Sequence, residues 1–154
     1  MPPSPFSDPV LGLLRFEEEA GWWTGEWVGR QGRKVELYLQ PAQGAAPTSP
    51  PHAADLEGYR VAFGLLRERE DELRRLVAGS VTDLARDWQM EEPQPDGEGE
   101  LTEDRVFDLL DLLGAGLGSD GSLSLEYLDG DMFSGHRVHA EVDADGALLG
   151  GAQI

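Results

Sequence analysis

The chain has no cysteine. Disulfide frameworks, thiolate nucleophiles and Cys-ligated zinc or iron–sulfur centres are therefore excluded. No apolar run approaches the length of a membrane-spanning helix. Met1 to Asp8 holds neither a basic residue nor a signal-like apolar stretch, so a soluble cytoplasmic protein is expected. Positive charge is also scarce: lysine occurs once, at Lys34, and 12 basic residues stand against 30 acidic ones, a formal charge of -18. Such a field repels phosphate backbones and anionic lipid, which argues against nucleic acid and membrane surfaces as partners and favours basic proteins or cations.

What is present suits one domain. At 154 residues, 40% hydrophobic and 27% charged, the chain can bury a core without a metal or disulfide staple. The acidity is uneven, because residues 91–131 carry 13 acids and a single base, Arg105.

The chain order points to an α+β fold. Runs at 13–17, 22–28 and 33–39, joined by short glycine-containing connectors, predict a three-stranded antiparallel meander; Val35, Leu37 and Leu39 alternate there with Glu36 and Tyr38. A loop rich in Pro, Ala and Gly spans 41–52. Leu56, Tyr59, Phe63, Leu66, Leu73 and Val77 then mark the apolar stripe of a helix, with Glu70 and Arg74, and Asp71 and Arg75, placed as i,i+4 pairs. Gly79 is read as its stop and Ser80 as the cap of a second helix to about Gln89, with Val81, Leu84, Ala85 and Trp88 inward. Residues 91–101 read as an acidic loop. Thr102 caps a third helix with the stripe Val106, Leu109, Leu110 and Leu113, ended by Gly114 to Gly121. Strand period returns at 123–127 and 137–142, and Asp145 with Gly146 makes a hairpin turn into a last strand from Ala147. The expected whole is a single domain of antiparallel strands, in one or two sheets, packed by central helices.

The segment from Asp129 to His136 concentrates carboxylates, two glycines, Phe133 and an imidazole between two strands. Asp129, Asp131 and His136 are candidate metal ligands, although Met132 and Phe133 interrupt the oxygen pattern of a calcium loop, and His139 faces away from His136 on a regular strand. His136 with Asp131 or Asp129 is also a candidate acid–base pair. No serine elbow, phosphate loop or His-Glu zinc signature accompanies it. A structural use of the same residues has glycines supplying turn geometry, Phe133 plugging the core, and His136 half-buried on the face of Val138 and Ala140. Trp23 and Trp27 share one strand face and Trp22 points the other way, so these rings serve either the core or an interface.

The run from Asp8 to Gly12, a tryptophan-bearing hairpin, Lys34 to Leu39, central helices, and Asp131 to His136 followed by Arg137 to Val142 together resemble an uncharacterised bacterial domain family, catalogued as a domain of unknown function. The resemblance spans nearly the whole chain and is specific at Asp131 to His136. Where such families often place an aromatic between the Phe and the Gly of that turn, Ser134 stands here. The resemblance implies no reaction and no cofactor. By architecture, similar acidic bacterial domains look like immunity proteins, which occlude toxins. The expectation is a non-enzymatic binding domain for a basic protein partner, using Glu98, Glu100, Asp120, Asp129, Asp131 and Trp23. The rival is a small metal-dependent hydrolase with His136 and Asp131 as catalytic groups and Asp129, Asp131 and His136 as ligands.

Overall fold

The computed structural model describes residues 3–29, 32–41, 50–91 and 101–154. Eight strands and two helices follow in the order β1 (Phe6–Asp8), β2 (Gly12–Glu17), β3 (Trp22–Val28), β4 (Lys34–Leu39), α1 (Ala53–Glu91), α2 (Glu103–Leu109), β5 (Asp111–Leu117), β6 (Leu123–Leu128), β7 (Arg137–Val142) and β8 (Leu148–Gln153). They form one eight-stranded sheet in sequence order. Every neighbouring pair is antiparallel except β4 and β5, which run parallel because the two helices carry the chain back between them. The fold is α+β, as expected, and the meander at its start is β2, β3 and β4.

Strand alternation sorts the sheet into two faces. Trp23, Val35, Leu37, Leu39, Ala115, Leu117, Leu125, Tyr127 and Val138 lie on the inner face, in one core with Tyr59, Phe63, Leu66, Leu73 and Val77 of α1. Full burial of each large aliphatic side chain contributes about 1.5–3 kcal/mol. The other face stays open to solvent, an arrangement antiparallel sheets tolerate.

Three expectations about the middle of the chain are corrected. First, the helix does not stop at Gly79: α1 runs through it, because Val77, Ala78 and Val81 are fully buried and their packing outweighs the roughly 1 kcal/mol that a helical glycine costs. Its break lies at Arg69 instead (φ -125°, ψ 21°), within a charged stretch with no apolar residue to bury. The Arg69 guanidinium there donates to the Asp145 carbonyl in the β7–β8 turn at 3.2 Å.

Second, α2 begins as expected, with Thr102 Oγ1 accepting the Arg105 N–H at 3.2 Å, but it ends at Leu109, and 111–117 is a strand. β5 sits between β4 and β6, where Leu112, Ala115 and Leu117 face the core and Gly114 and Gly116 face outward. Leu113 is the extra residue of a bulge against β6.

Third, Arg75 pairs with Asp104 (2.7 Å) instead of Asp71, and Arg74, placed as the partner of Glu70, is only 1% exposed. Leu84, expected inward, is exposed. In the β7–β8 turn Gly146 alone has positive φ (88°). The loop at 42–49 and the acidic loop at 92–100 lie outside the described residues.

Candidate functional site

The turn after β6 is wound around one carboxylate. Asp129 is 4% exposed. Its Oδ1 accepts the Asp131 N–H at 3.0 Å, and its Oδ2 accepts those of Phe133 (2.9 Å) and Gly135 (3.1 Å). Gly130, Asp131, Ser134 and Gly135 all have positive φ, and a Cβ on Gly130 would come within 2.9 Å of Leu109. Glycine is required there both by conformation and by space. Phe133 is fully buried under this coil, with Trp88 of α1 set edge-on to its ring at 5.4 Å.

The candidate residues of the turn do not converge. Asp129 is inward and spent on backbone N–H groups, while Asp131 and His136 are exposed. His136 was expected half-buried on the β7 face; it precedes that strand and lies edge-on to Trp88, with ring centroids 5.6 Å apart. Among the described residues no three His, Asp or Glu side chains are grouped to hold a metal ion. Asp120 is exposed in the β5–β6 turn, accepting from Ser122 N (3.0 Å) and Oγ (2.5 Å); those hydrogen bonds hold its carboxyl below the usual range.

Trp23 does not reach solvent. It is 3% exposed, with Phe6 and Phe16 set edge-on at 4.9 and 5.6 Å, so it belongs to the core rather than to a partner surface. The ring that does sit on the open face is Trp22, stacked on Tyr38 at 4.9 Å and 24°. Glu98 and Glu100 lie outside the described residues.

Two buried ionic groups were not foreseen. Asp8 accepts the N–H groups of Val10 (2.9 Å) and Leu11 (3.0 Å) and the Arg60 guanidinium (Nε at 3.1 Å), which holds its carboxyl down at about 2. Behind α2, the Arg74 guanidinium stacks on Phe107 at 3.9 Å, pairs with Asp71 (2.5 Å) and donates to the Phe107 carbonyl (3.2 Å). Its Nε lies 3.3 Å from Glu70 Oε1 without hydrogen-bond alignment. The buried Tyr127 hydroxyl has no hydrogen-bond partner among the described residues, and burial, with Glu70 and Asp71 nearby, drives its pKa well up. A cavity of about 10 Å³ beside Glu70, Arg74 and the Arg33–Asp111 ion pair has room for a single water molecule. The signal for Arg74 was present in the sequence, since it follows Leu73, but an arginine at such a position reads as solvated.

No helix among the described residues is long and apolar enough to cross a membrane. No curated protein and no solved structure matches the chain. A family model described as "Uncharacterized protein conserved in bacteria (DUF2262)" matches residues 8–151.

Proposed function

The chain belongs to that bacterial family, from which no activity is inherited, and we propose that it is a non-enzymatic intracellular protein-binding domain, immunity-like in kind, that presents an acidic surface to a basic protein partner. The carrying observation is where the acids of the acid-rich segment stand. Glu103, Asp104, Asp108, Asp120 and Asp131 are exposed, and Asp104 keeps 88% of its side chain in solvent even while paired with Arg75. Together with the formal charge of -18, they make a surface that accelerates encounter with a positively charged protein and disfavours acidic ones. The hydrolase reading draws no comparable support, because the carboxylate at the centre of its turn is engaged by three backbone N–H groups.

The test is capture with the tagged full chain from a bacterial lysate at low and at high salt. A basic protein retained at low salt, released at high salt, and lost to a variant carrying Asp104→Lys, Asp108→Lys and Asp120→Lys is the expected result. Binding indifferent to salt and to charge reversal would sink the proposal.

A further inference from the structure

Arg74 carries a positive charge into the core, and the protein answers only part of it. Its side chain is 1% exposed, and a guanidinium has N–H donors on all three nitrogens and no acceptor. Nη2 reaches Asp71 Oδ1 at 2.5 Å, and Nη1 donates to the Phe107 carbonyl at 3.2 Å. Nε lies 3.3 Å from Glu70 Oε1 but is not aligned on it, and among the described residues it has no hydrogen-bond acceptor. A charged N–H left bare in a protein interior destabilises the fold, because the group has given up its hydration and received no partner in exchange.

The cavity of about 10 Å³ that Arg74 lines lies between α1 and the start of β5. Glu70 and Arg74 form its inner polar wall. Arg33 and Asp111, paired at 3.1 Å and more exposed, stand towards solvent, and Val35 and Leu112 supply apolar lining. The four charged groups cancel, two cations against two carboxylates. An ion of either sign would therefore meet a like charge as well as an opposite one, and would have to shed its hydration in a space the size of one water molecule. A neutral ligand meets neither obstacle. Nor does such a wall suit a dry void, since the empty cavities of proteins are apolar.

We infer that this cavity binds one ordered water molecule, which accepts the Arg74 Nε–H and donates its two protons to Glu70 and Asp111. Three hydrogen bonds are the usual complement of an internal water. An ionised carboxylate offers about four lone-pair sites, so each acid can take a water proton while keeping its other partners. The water completes a joint. The Arg74 guanidinium already ties α1 to α2 by stacking on Phe107, and through the water it also reaches Asp111, the first residue of β5. Three elements thus meet on one buried side chain.

The experiment records water cross-peaks to the arginine Nε–H protons of the isotopically labelled full chain, at a mildly acidic pH where those protons exchange slowly with solvent. At Arg74 the cross-peak is expected to have opposite signs in the laboratory-frame and rotating-frame Overhauser spectra, the mark of a water that stays longer than the molecule takes to tumble. In Asp111→Ala, which removes one partner and opens the cavity, the cross-peak should weaken roughly twofold or more. No cross-peak at Arg74, or one of the same sign in both spectra, which reports only proton exchange, would overturn the bound water. A cross-peak indifferent to Asp111→Ala would overturn the three-point site. A high-resolution crystal structure with a chloride or a metal ion between Glu70 and Arg74 would overturn the neutral ligand.

Discussion

Asp8 and Asp129 are both buried carboxylates that close a turn over their own backbone, and they differ in what answers their charge. Asp8, in the β1–β2 turn, accepts two local N–H groups and a guanidinium from Arg60 on α1, so it ties the edge of the sheet to the helix. Asp129, in the β6–β7 turn, accepts three N–H groups from its own coil and, among the described residues, no arginine or lysine. One acid is a tertiary link; the other is a local template. A buried carboxylate flanked by glycines can thus be exhausted by its own backbone, and an acid with no conspicuous motif around it can hold two elements together.

The comparison predicts an order of effects. Asp8→Ala strands two N–H groups and removes the counter-charge of Arg60, and should cost about 3 kcal/mol, read as a lower denaturant midpoint at unchanged slope. Asp129→Ala leaves the Phe133 N–H unpaired in a buried turn and should cost about 2 kcal/mol. If it proved the costlier of the two, the distinction between link and template would fail. The amide substitutions separate the pair further. Asp129→Asn keeps a carbonyl oxygen that can serve Phe133 and Gly135 and should cost about 1 kcal/mol, whereas Asp8→Asn loses the attraction to Arg60 and should cost more.

Acid supplies the finest test. The Asp8 carboxyl titrates at about 2 in the fold, below its ordinary 3.8, so its stabilisation is complete above 3.8 and is lost as pH falls towards 2. The wild type should lose stability through that window and Asp8→Asn should lose less. Parallel curves for the two proteins would show that the ion pair with Arg60 contributes nothing there.

Wherever side chains alternate over a solvated face, the elements were legible in the sequence. The runs read at 22–28 and 137–142 are the strands observed, and the stripe from Tyr59 to Val77 is the buried face of α1. Legibility failed where that alternation was missing. β5 lies inside the sheet with two glycines on its outer side, so Gly114, Ala115 and Gly116 read as a helix stop. β1 is too short to show a period. The kink at Arg69 has no proline or glycine to announce it; in the fold its guanidinium donates to the carbonyl of Asp145, 76 residues further along the chain. Of the candidate site, the turn geometry, its glycines and the core role of Phe133 were readable. The inward aim of Asp129 and the burial of Trp23 were not, since both depend on which face each strand presents to α1.

The parallel seam between β4 and β5 also sets a timetable. Leu37 is paired with Ala115, so the two halves of the sheet cannot be joined until both helices have been made. As the chain emerges from the ribosome, the β1–β4 meander must wait with a naked hydrogen-bonding rim at β4, ready to pair with any other extended strand. This closure spans more chain than the hairpin pairings on either side of it, so it carries the largest loop-closure entropy of any pairing in the sheet. Gly116 of β5 admits the Tyr38 ring across the finished seam, so the strand that joins the two halves also makes room for its neighbour's side chain on the outer surface.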